Sequence, residues 1–166
     1  MTEENDFLEI ERKFLVKQIP VKLDQYPKRE LLQGYIASNP VLRLRRSDSD
    51  CMFTFKNGIG LEREEFESPL TQAQFEELWS LVSGKEIAKT RYFIPLAGGF
   101  TAEFDMYHGR LQGLFTVEVE FSSVEQAETF TPPDWFGEDV TCDIRYTNSN
   151  LSKNLPPQIY SRTTNE

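Results

Sequence analysis

Charged side chains recur at every second position in several segments of the sequence, and most of these segments carry charges of one sign. Acidic pairs are Glu9/Glu11, Glu103/Asp105 and Glu118/Glu120, basic pairs are Arg43/Arg45 and Lys89/Arg91, and mixed sets add Lys13, Lys56, Arg63, Glu65 and Glu67. Alternate residues of a β-strand share a face, so each segment would place its charges on one side. Carboxylates without His or Cys suit hard cations such as Mg²⁺ or Mn²⁺, and paired Lys and Arg suit phosphate oxygens. The pattern indicates a phosphorylated anion bound together with divalent cations.

The same alternation is also typical of strands that are half buried, with their charged faces in water, as in an ordinary β-sandwich. Like charges on one face repel each other, however, and solvated surfaces usually mix the two signs. The other arrangement is a barrel whose charged faces line a wet interior while helices cover its apolar exterior. Alternation alone leaves both arrangements open.

The elements that would position these residues are mostly strands separated by short turns. Eight strands are predicted, at residues 7–16, 31–37, 41–47, 51–57, 60–67, 86–96, 100–107 and 114–121. Their short connections imply antiparallel neighbours. A helix over 71–82 begins with the capping box Thr71/Gln74 and ends before Gly84, and a second short helix lies near 122–130. Many strands with few helices favour a sandwich or a closed barrel.

The composition excludes several classes of function. The chain of 166 residues carries a net charge of −9, which disfavours binding to nucleic acid or to anionic membranes. The sequence contains no apolar run of membrane-spanning length, and its acidic N-terminus is unlike a signal peptide, so we predict a cytoplasmic protein. The single histidine, His108, argues against zinc chemistry and a His-dependent triad. Cys51 and Cys142 are too few for a disulfide framework.

The segment Glu9-x-Glu11-x-Lys13 resembles the signature of the CYTH, or triphosphate tunnel metalloenzyme, superfamily. Further segments follow in the order of that family: Leu42-Arg43-Leu44-Arg45, Thr54-Phe55-Lys56, Arg63-x-Glu65-x-Glu67, Lys89-Thr90-Arg91-Tyr92, Glu103-x-Asp105, Glu118-Val119-Glu120-Phe121 and Arg145-Tyr146-x-Asn148. The resemblance covers nearly all of residues 7–153 and is greatest to short, single-domain bacterial inorganic triphosphatases.

The resemblance implies a mainly β fold: an eight-stranded antiparallel β-barrel that forms a tunnel with a charged lumen and few outer helices. It implies one tunnel domain over 1–155, followed by a polar tail over 156–166, and a short helix within 145–153 that can plug one mouth. The metal-binding acids it implies are Glu9, Glu11, Glu118 and Glu120, with Glu65, Glu67, Glu103 and Asp105 as further tunnel acids. The phosphate-binding residues it implies are Lys13, Arg43, Arg45, Lys56, Arg63, Lys89 and Arg91.

The implied activity is the metal-dependent hydrolysis of a phosphoanhydride bond in a short linear triphosphate such as tripolyphosphate, with Mg²⁺ or Mn²⁺ as cofactor. Catalytic contributions are expected from Lys13, Tyr35, Lys89, Arg91 and Glu118. Three alternatives stay open: an adenylyl cyclase acting on ATP, a thiamine triphosphatase with an aromatic cradle supplied by Trp135 and Phe136, and a non-catalytic polyphosphate- or nucleotide-binding module. A homodimer formed through one side of the barrel is also left open, since no segment marks an interface.

Overall fold

The computed structural model describes residues 8–58 and 60–157, and strands dominate this part of the chain. The strands found there are β1 (Leu8–Val16), β2 (Lys28–Ser38), β3 (Val41–Ser47), β4 (Asp50–Asn57), β5 (Glu62–Leu70), β6 (Ser83–Pro95), β7 (Thr101–Tyr107), β8 (Phe115–Glu120) and β9 (Phe136–Asp139). The α-helices are α1 (Gln72–Trp79), α2 (Val124–Thr129) and α3 (Asn148–Leu151), and short 3₁₀ turns lie at Leu23–Gln25, Ala97–Gly99, Gly109–Leu111 and Ile144–Tyr146. None of the helices in these residues has the length and hydrophobicity needed to cross a membrane.

Strands β1 to β8 close into an antiparallel barrel in the order β5-β4-β3-β2-β6-β7-β8-β1. The ring closes because the start of β1 also pairs with β5, where Leu8 lies opposite Glu64 and Ile10 opposite Glu62. β9 pairs with the second half of β1, on the same edge whose first half pairs with β5. The predicted eight-stranded barrel is confirmed, and the sandwich arrangement is excluded.

The apolar faces of the strands point outward and are covered by the few helices and loops. Phe14, Phe104 and Val117 are almost completely buried in the largest cluster, beneath the segment that joins α2 to β9. On the opposite side, α1 begins with the predicted capping box and packs Phe75 against the sheet. A Cβ added at Gly34 would approach Trp79 to 2.9 Å, which explains why glycine stands where the helix meets β2.

One end of the barrel interior is apolar and closed. Two residues further along their strands from Lys13, Arg43 and Lys89, the inward-facing positions are apolar: Leu15, Val41 and Ile87. These side chains pack in one cluster with the buried residues Tyr35, Tyr107, Leu111, Leu114, Val140, Tyr146 and Leu151. The C-terminal segment carrying α3 therefore packs across this end as the predicted plug. At the other end the inward positions remain charged, and the barrel opens to solvent at Glu67 and Glu120.

The observed elements differ from the predicted ones mainly at their ends. β2 begins at Lys28 and β6 at Ser83, because the two strands pair with each other over nearly their whole length, from Lys28 opposite Tyr92 to Tyr35 opposite Ser83. β5 is displaced to Glu62–Leu70, and α1 ends at Trp79. β9 was not predicted at all, since four residues are too few to show an alternation. The predicted start at residue 7 and the polar tail beyond residue 157 lie outside the described residues.

Candidate active site

The charged inner face of the barrel surrounds a cavity of about 300 Å³. With one exception, every site residue predicted from the sequence lines it: Glu9, Glu11, Lys13, Tyr35, Arg43, Arg45, Lys56, Arg63, Glu65, Glu67, Lys89, Arg91, Glu103, Glu118 and Glu120. The exception is Asp105, which is fully buried behind Lys89 and Arg91. The structure thus brings the predicted metal-binding and phosphate-binding residues to one cavity, and their individual roles remain predictions.

Three carboxylates gather near the open end of this cavity. Glu9, Glu11 and Glu120 each place an oxygen within 4.8 Å of the other two, because β8 sets Glu120 directly opposite Glu11 and Glu9 lies two residues away on β1. The donor set consists of oxygen atoms alone, which is the chemistry that Mg²⁺ and Mn²⁺ prefer. The residues present therefore fit a hard divalent cation, and we call these three carboxylates the acid cluster.

Two members of the acid cluster, Glu11 and Glu120, have raised pKa values. Burial, followed by the charge of Glu118, raises the pKa of Glu11 from 4.5 to about 7. Burial also raises the pKa of Glu120 to about 7, with the neighbouring charges of Glu103 and Glu9 adding to the effect. These carboxyl groups repel one another as anions, and a bound cation would remove that repulsion.

Two basic side chains partly neutralise the acid cluster. Lys56 lies 2.8 Å from an oxygen of Glu9 and 3.1 Å from one of Glu65. Arg63 donates a hydrogen bond to Glu11. The sequence pattern predicted that strand faces with charges of one sign need a bound anion and divalent cations to balance them. The barrel instead sets acidic and basic stripes side by side, so a ligand must compete with these internal ion pairs.

A second ionic network lies deeper in the wall, between β6, β7 and β8. Lys89 donates to Asp105 at 2.7 Å, and Arg91 donates to both oxygens of the same carboxylate at 2.7 and 2.8 Å. Glu118 lies 3.3 Å from Arg91 and 3.4 Å from Lys13. Burial alone would raise the pKa of Asp105 and of Glu118, but the adjacent cations outweigh it and hold both values below the ordinary range. Both groups are therefore anions throughout the neutral pH range.

Burial has the opposite consequence for the cation of this network. It lowers the pKa of Lys89 from 10.5 to about 8, although Asp105 opposes the change. Lys89 therefore keeps its proton at neutral pH but holds it less tightly than an exposed lysine does. A group with this pKa can stabilise developing negative charge and also supply a proton.

Arg43 and Arg45 form the most anion-receptive part of the wall. Both guanidinium groups approach the single carboxylate of Glu67, at 3.6 and 3.5 Å. The charge of Arg43, together with burial, lowers the pKa of Arg45 to about 10. The Nε atom of Arg43 is buried and makes no hydrogen bond with the residues that the structure describes. A buried donor without a partner next to excess positive charge favours an anionic ligand.

Tyr35 lies between this basic wall and the closed end of the cavity. Its hydroxyl oxygen accepts a hydrogen bond of 2.8 Å from the amide of Gln33. Burial raises the pKa of the Tyr35 phenol, so the group is a hydrogen-bond donor rather than a base.

The relatives of this chain agree with the anion- and cation-binding residues found in the cavity. An inorganic triphosphatase of Nitrosomonas europaea is 43% identical over 152 residues, which cover 89% of this chain and 99% of the relative. An inorganic triphosphatase of Acetivibrio thermocellus is 35% identical over 151 residues, covering 88% and 94%. The chain belongs to the inorganic triphosphatase family. No family model matches the chain.

Solved structures share the barrel fold of this member of the inorganic triphosphatase family. A crystal structure described as an inorganic triphosphatase superposes with a TM-score of 0.66 at 40% identity, covering 89% of this chain and 96% of that one. A putative adenylyl cyclase from Hippeastrum shares the fold, with a TM-score of 0.52 at 15% identity over 74% of this chain and 82% of that one. The second likeness concerns the fold alone.

In this family member, the C-terminal segment contributes cavity residues that the sequence reasoning missed. Thr141, Asp143, Thr147, Asn148 and Ser149 also line the cavity. Only residues 145–153 were predicted as a plug, and the motif Arg145-Tyr146-x-Asn148 was the signal in the sequence that pointed to Asn148.

The aromatic cradle considered for thiamine does not face the cavity. Trp135 and Phe136 pack on the outside of the barrel, with ring centroids 4.5 Å apart, in the largest apolar cluster. Because these rings fill the core between β9 and the barrel, they cannot bind an organic group on a triphosphate inside it.

Proposed function

We propose that the chain hydrolyses a phosphoanhydride bond of inorganic tripolyphosphate and that it requires Mg²⁺ or Mn²⁺. The observation that carries this proposal is a single cavity in which a three-carboxylate cluster faces Arg43 and Arg45, whose positive charge is only partly compensated. The relatives named as inorganic triphosphatases span nearly the same length as this chain and support the same reaction.

Glu9, Glu11 and Glu120 would hold the divalent cation. When bound, it would offset the charge on the phosphate oxygens and so make a polyanion attackable by water. Its presence would also compensate for the repulsion that a chain of net charge −9 exerts on a free polyanion.

The chain's own residues position and polarise the substrate. Arg43, Arg45 and Lys56 line the cavity as phosphate ligands, and the free Nε of Arg43 supplies a donor that no described residue satisfies. Lys89 keeps its proton at neutral pH and is suited to stabilise the charge of the leaving phosphate. Glu118 is ionised at neutral pH, so it can accept a hydrogen bond from the attacking water and orient it. The other predicted acids, Glu65, Glu67, Glu103 and Asp105, stay predictions as metal ligands, and for Asp105 a metal would have to displace the Lys89 and Arg91 side chains that bond its oxygens.

The test incubates purified chain with tripolyphosphate, ATP or thiamine triphosphate, each with Mg²⁺, with Mn²⁺ or with a chelator. We expect orthophosphate and pyrophosphate from tripolyphosphate, only when a divalent cation is present. Cyclic AMP from ATP would indicate a cyclase instead, and binding without any product would indicate a non-catalytic module. Undiminished turnover in the chelator would overturn the metal requirement. A homodimer and a cytoplasmic location remain predictions from the sequence.

A further inference from the structure

The amide of Asn148 is held in one orientation at the closed end of the cavity. The hydroxyl of Tyr107 donates a hydrogen bond of 2.7 Å to the Oδ1 atom of Asn148, and Thr116 lies 3.5 Å away as a donor to the same hydroxyl oxygen. Tyr107 is 1% exposed, so this arrangement is shielded from solvent. Because the phenolic proton is committed to Oδ1, the amide nitrogen of Asn148 must point the other way.

That nitrogen has two hydrogen atoms to donate and makes no hydrogen bond within the described residues, although Asn148 lines the cavity. The carboxylates of Asp105 and Glu118 lie close enough to raise the pKa of the Tyr107 phenol, but both are paired with lysine and arginine side chains. Two cationic side chains of this region are available to an anion. Lys89 lies 5.3 Å from the centre of the Tyr107 ring, and Arg43, with its unpartnered Nε, lines the same cavity. A phosphate group offers several acceptors and no donor, so it matches an amide nitrogen beside cations.

We propose that Asn148 is a substrate-binding residue that donates from its amide nitrogen to the terminal phosphate at the closed end of the cavity, and that Tyr107 is a positioning residue that orients this amide. The inference rests on the proposed function, because it takes a linear triphosphate as the ligand. It also specifies the substrate. The apolar cluster and α3 leave no room beyond this position, so the phosphate bound there carries no organic substituent, and any such group must lie at the open end.

The experiment uses four variants of the full chain, namely N148D, N148A, Y107F and the double variant Y107F/N148A, and one matched control. N148D is nearly isosteric: it keeps the acceptor for Tyr107 and replaces the donor that faces the cavity by a carboxylate oxygen. N148A removes the amide, and Y107F removes the hydroxyl that orients it. The control is N150A, which alters an amide on the same helix that bonds to the Arg145 carbonyl and does not line the cavity.

We expect N148A to raise KM for tripolyphosphate about tenfold or more, since a hydrogen bond to a charged group is lost. N148D should raise KM further, because an anion then faces phosphate. Y107F should raise KM less, and it should add nothing in the N148A background, since it acts through that amide. In all of these variants kcat should change much less than KM, and N150A should leave both parameters unchanged.

Three results would overturn the inference: an unchanged KM in N148D, a rise in KM in N150A equal to that in N148A, or additive effects of Y107F and N148A. Titration calorimetry with tripolyphosphate separates this inference from the proposed function. If the wild-type chain binds tripolyphosphate without hydrolysing it, and N148D binds it more weakly, the proposed function fails while the Asn148 site stands. If the wild-type chain hydrolyses tripolyphosphate and N148D is unaffected, the proposed function stands and the Asn148 site fails. If the wild-type chain does not bind tripolyphosphate, both proposals fail.

Discussion

Glu11 on β1 and Glu120 on β8 are direct partners across an antiparallel strand pair, and both carboxyl groups line the cavity. Two carboxylates in this relationship repel each other at neutral pH, and burial strengthens the repulsion. The pKa of each is raised to about 7, chiefly by burial, with the charge of Glu118 adding to the effect at Glu11 and the charges of Glu103 and Glu9 adding to it at Glu120. The metal-free barrel therefore carries, at its mouth, two acids that are poised to exchange protons for a cation.

The stability of the metal-free protein should consequently depend on pH in an unusual direction. Between about pH 4.5 and pH 7 the folded chain binds protons at Glu11 and Glu120 that the unfolded chain has already released. The folded state thus binds more protons, and the free energy of unfolding contributed by these groups decreases as the pH rises through this range. Urea denaturation in a chelator at pH 5.5 and pH 8 measures the change. The variant E11Q/E120Q should show a flatter dependence, and an equally steep one would contradict the assignment.

Metal binding should show the complementary dependence. Because a cation must displace protons from the acid cluster, the affinity for Mn²⁺ should increase about tenfold or more from pH 6 to pH 8. E11Q and E120Q should each abolish or greatly weaken Mn²⁺ binding, measured by calorimetry, and abolish hydrolysis of tripolyphosphate while the chain still folds. E62Q is the matched control, since Glu62 is exposed on the outer face of β5. Equal losses in E62Q would show that the binding measured is not at this cluster.

Asp105 should behave as a structural counterion. It is 0% exposed and accepts hydrogen bonds from both Lys89 and Arg91. Its loss removes the carboxylate that pairs with the buried Lys89 and leaves Arg91 with Glu103 and Glu118 alone. We expect D105N to lower the free energy of unfolding by about 3 kcal/mol or more, as for other broken buried pairs. Denaturant unfolding at pH 7 tests this, with D50N at an exposed strand position as the control. A D105N variant as stable as the wild type would mean that Lys89 and Arg91 find other partners.

The fold could be predicted from the sequence because alternation shows which residues share a face. Alternation placed Glu9, Glu11 and Lys13 on one side of β1. The resemblance to a known family then indicated that this side faces inward. Neither source reveals the register between distant strands. The pairing of Leu8 with Glu64 that closes the barrel, and the docking of β9 on β1, depend on contacts far apart in the chain.

The site was predicted as a set of residues, but its electrostatics were not. Lys56 and Glu9 are 47 positions apart, yet their side chains meet because closure of the barrel brings β5, and with it β4, beside β1. Asn148 stands in a motif of the resemblance, but the sequence assigned it no role, because the type and spacing of a single asparagine in a polar segment indicate no particular chemistry. Its candidate role follows only from the Tyr107 hydroxyl that orients it.

Arg12 lies between two proposed site residues in sequence but should act on stability alone. Its side chain points outward, where it donates to the carbonyl groups of Ala127 and Phe130 and forms two hydrogen bonds with Asp139. It thus attaches both the end of α2 and β9 to the strand that carries the acid cluster. We expect R12A to lower the free energy of unfolding by about 2 kcal/mol, because several hydrogen bonds to a charged group are lost together.

Kinetics distinguish this role from that of the adjacent Lys13, which lines the cavity. At temperatures well below its unfolding transition, R12A should retain kcat and KM for tripolyphosphate within about twofold. K13A should lose most of its activity, because Glu118 loses a cationic partner and the cavity loses a predicted phosphate ligand. Thermal unfolding and steady-state assays of the two variants at one temperature provide the comparison. An R12A chain that is stable but inactive would show that the outer attachment of α2 and β9 governs the geometry of the acid cluster.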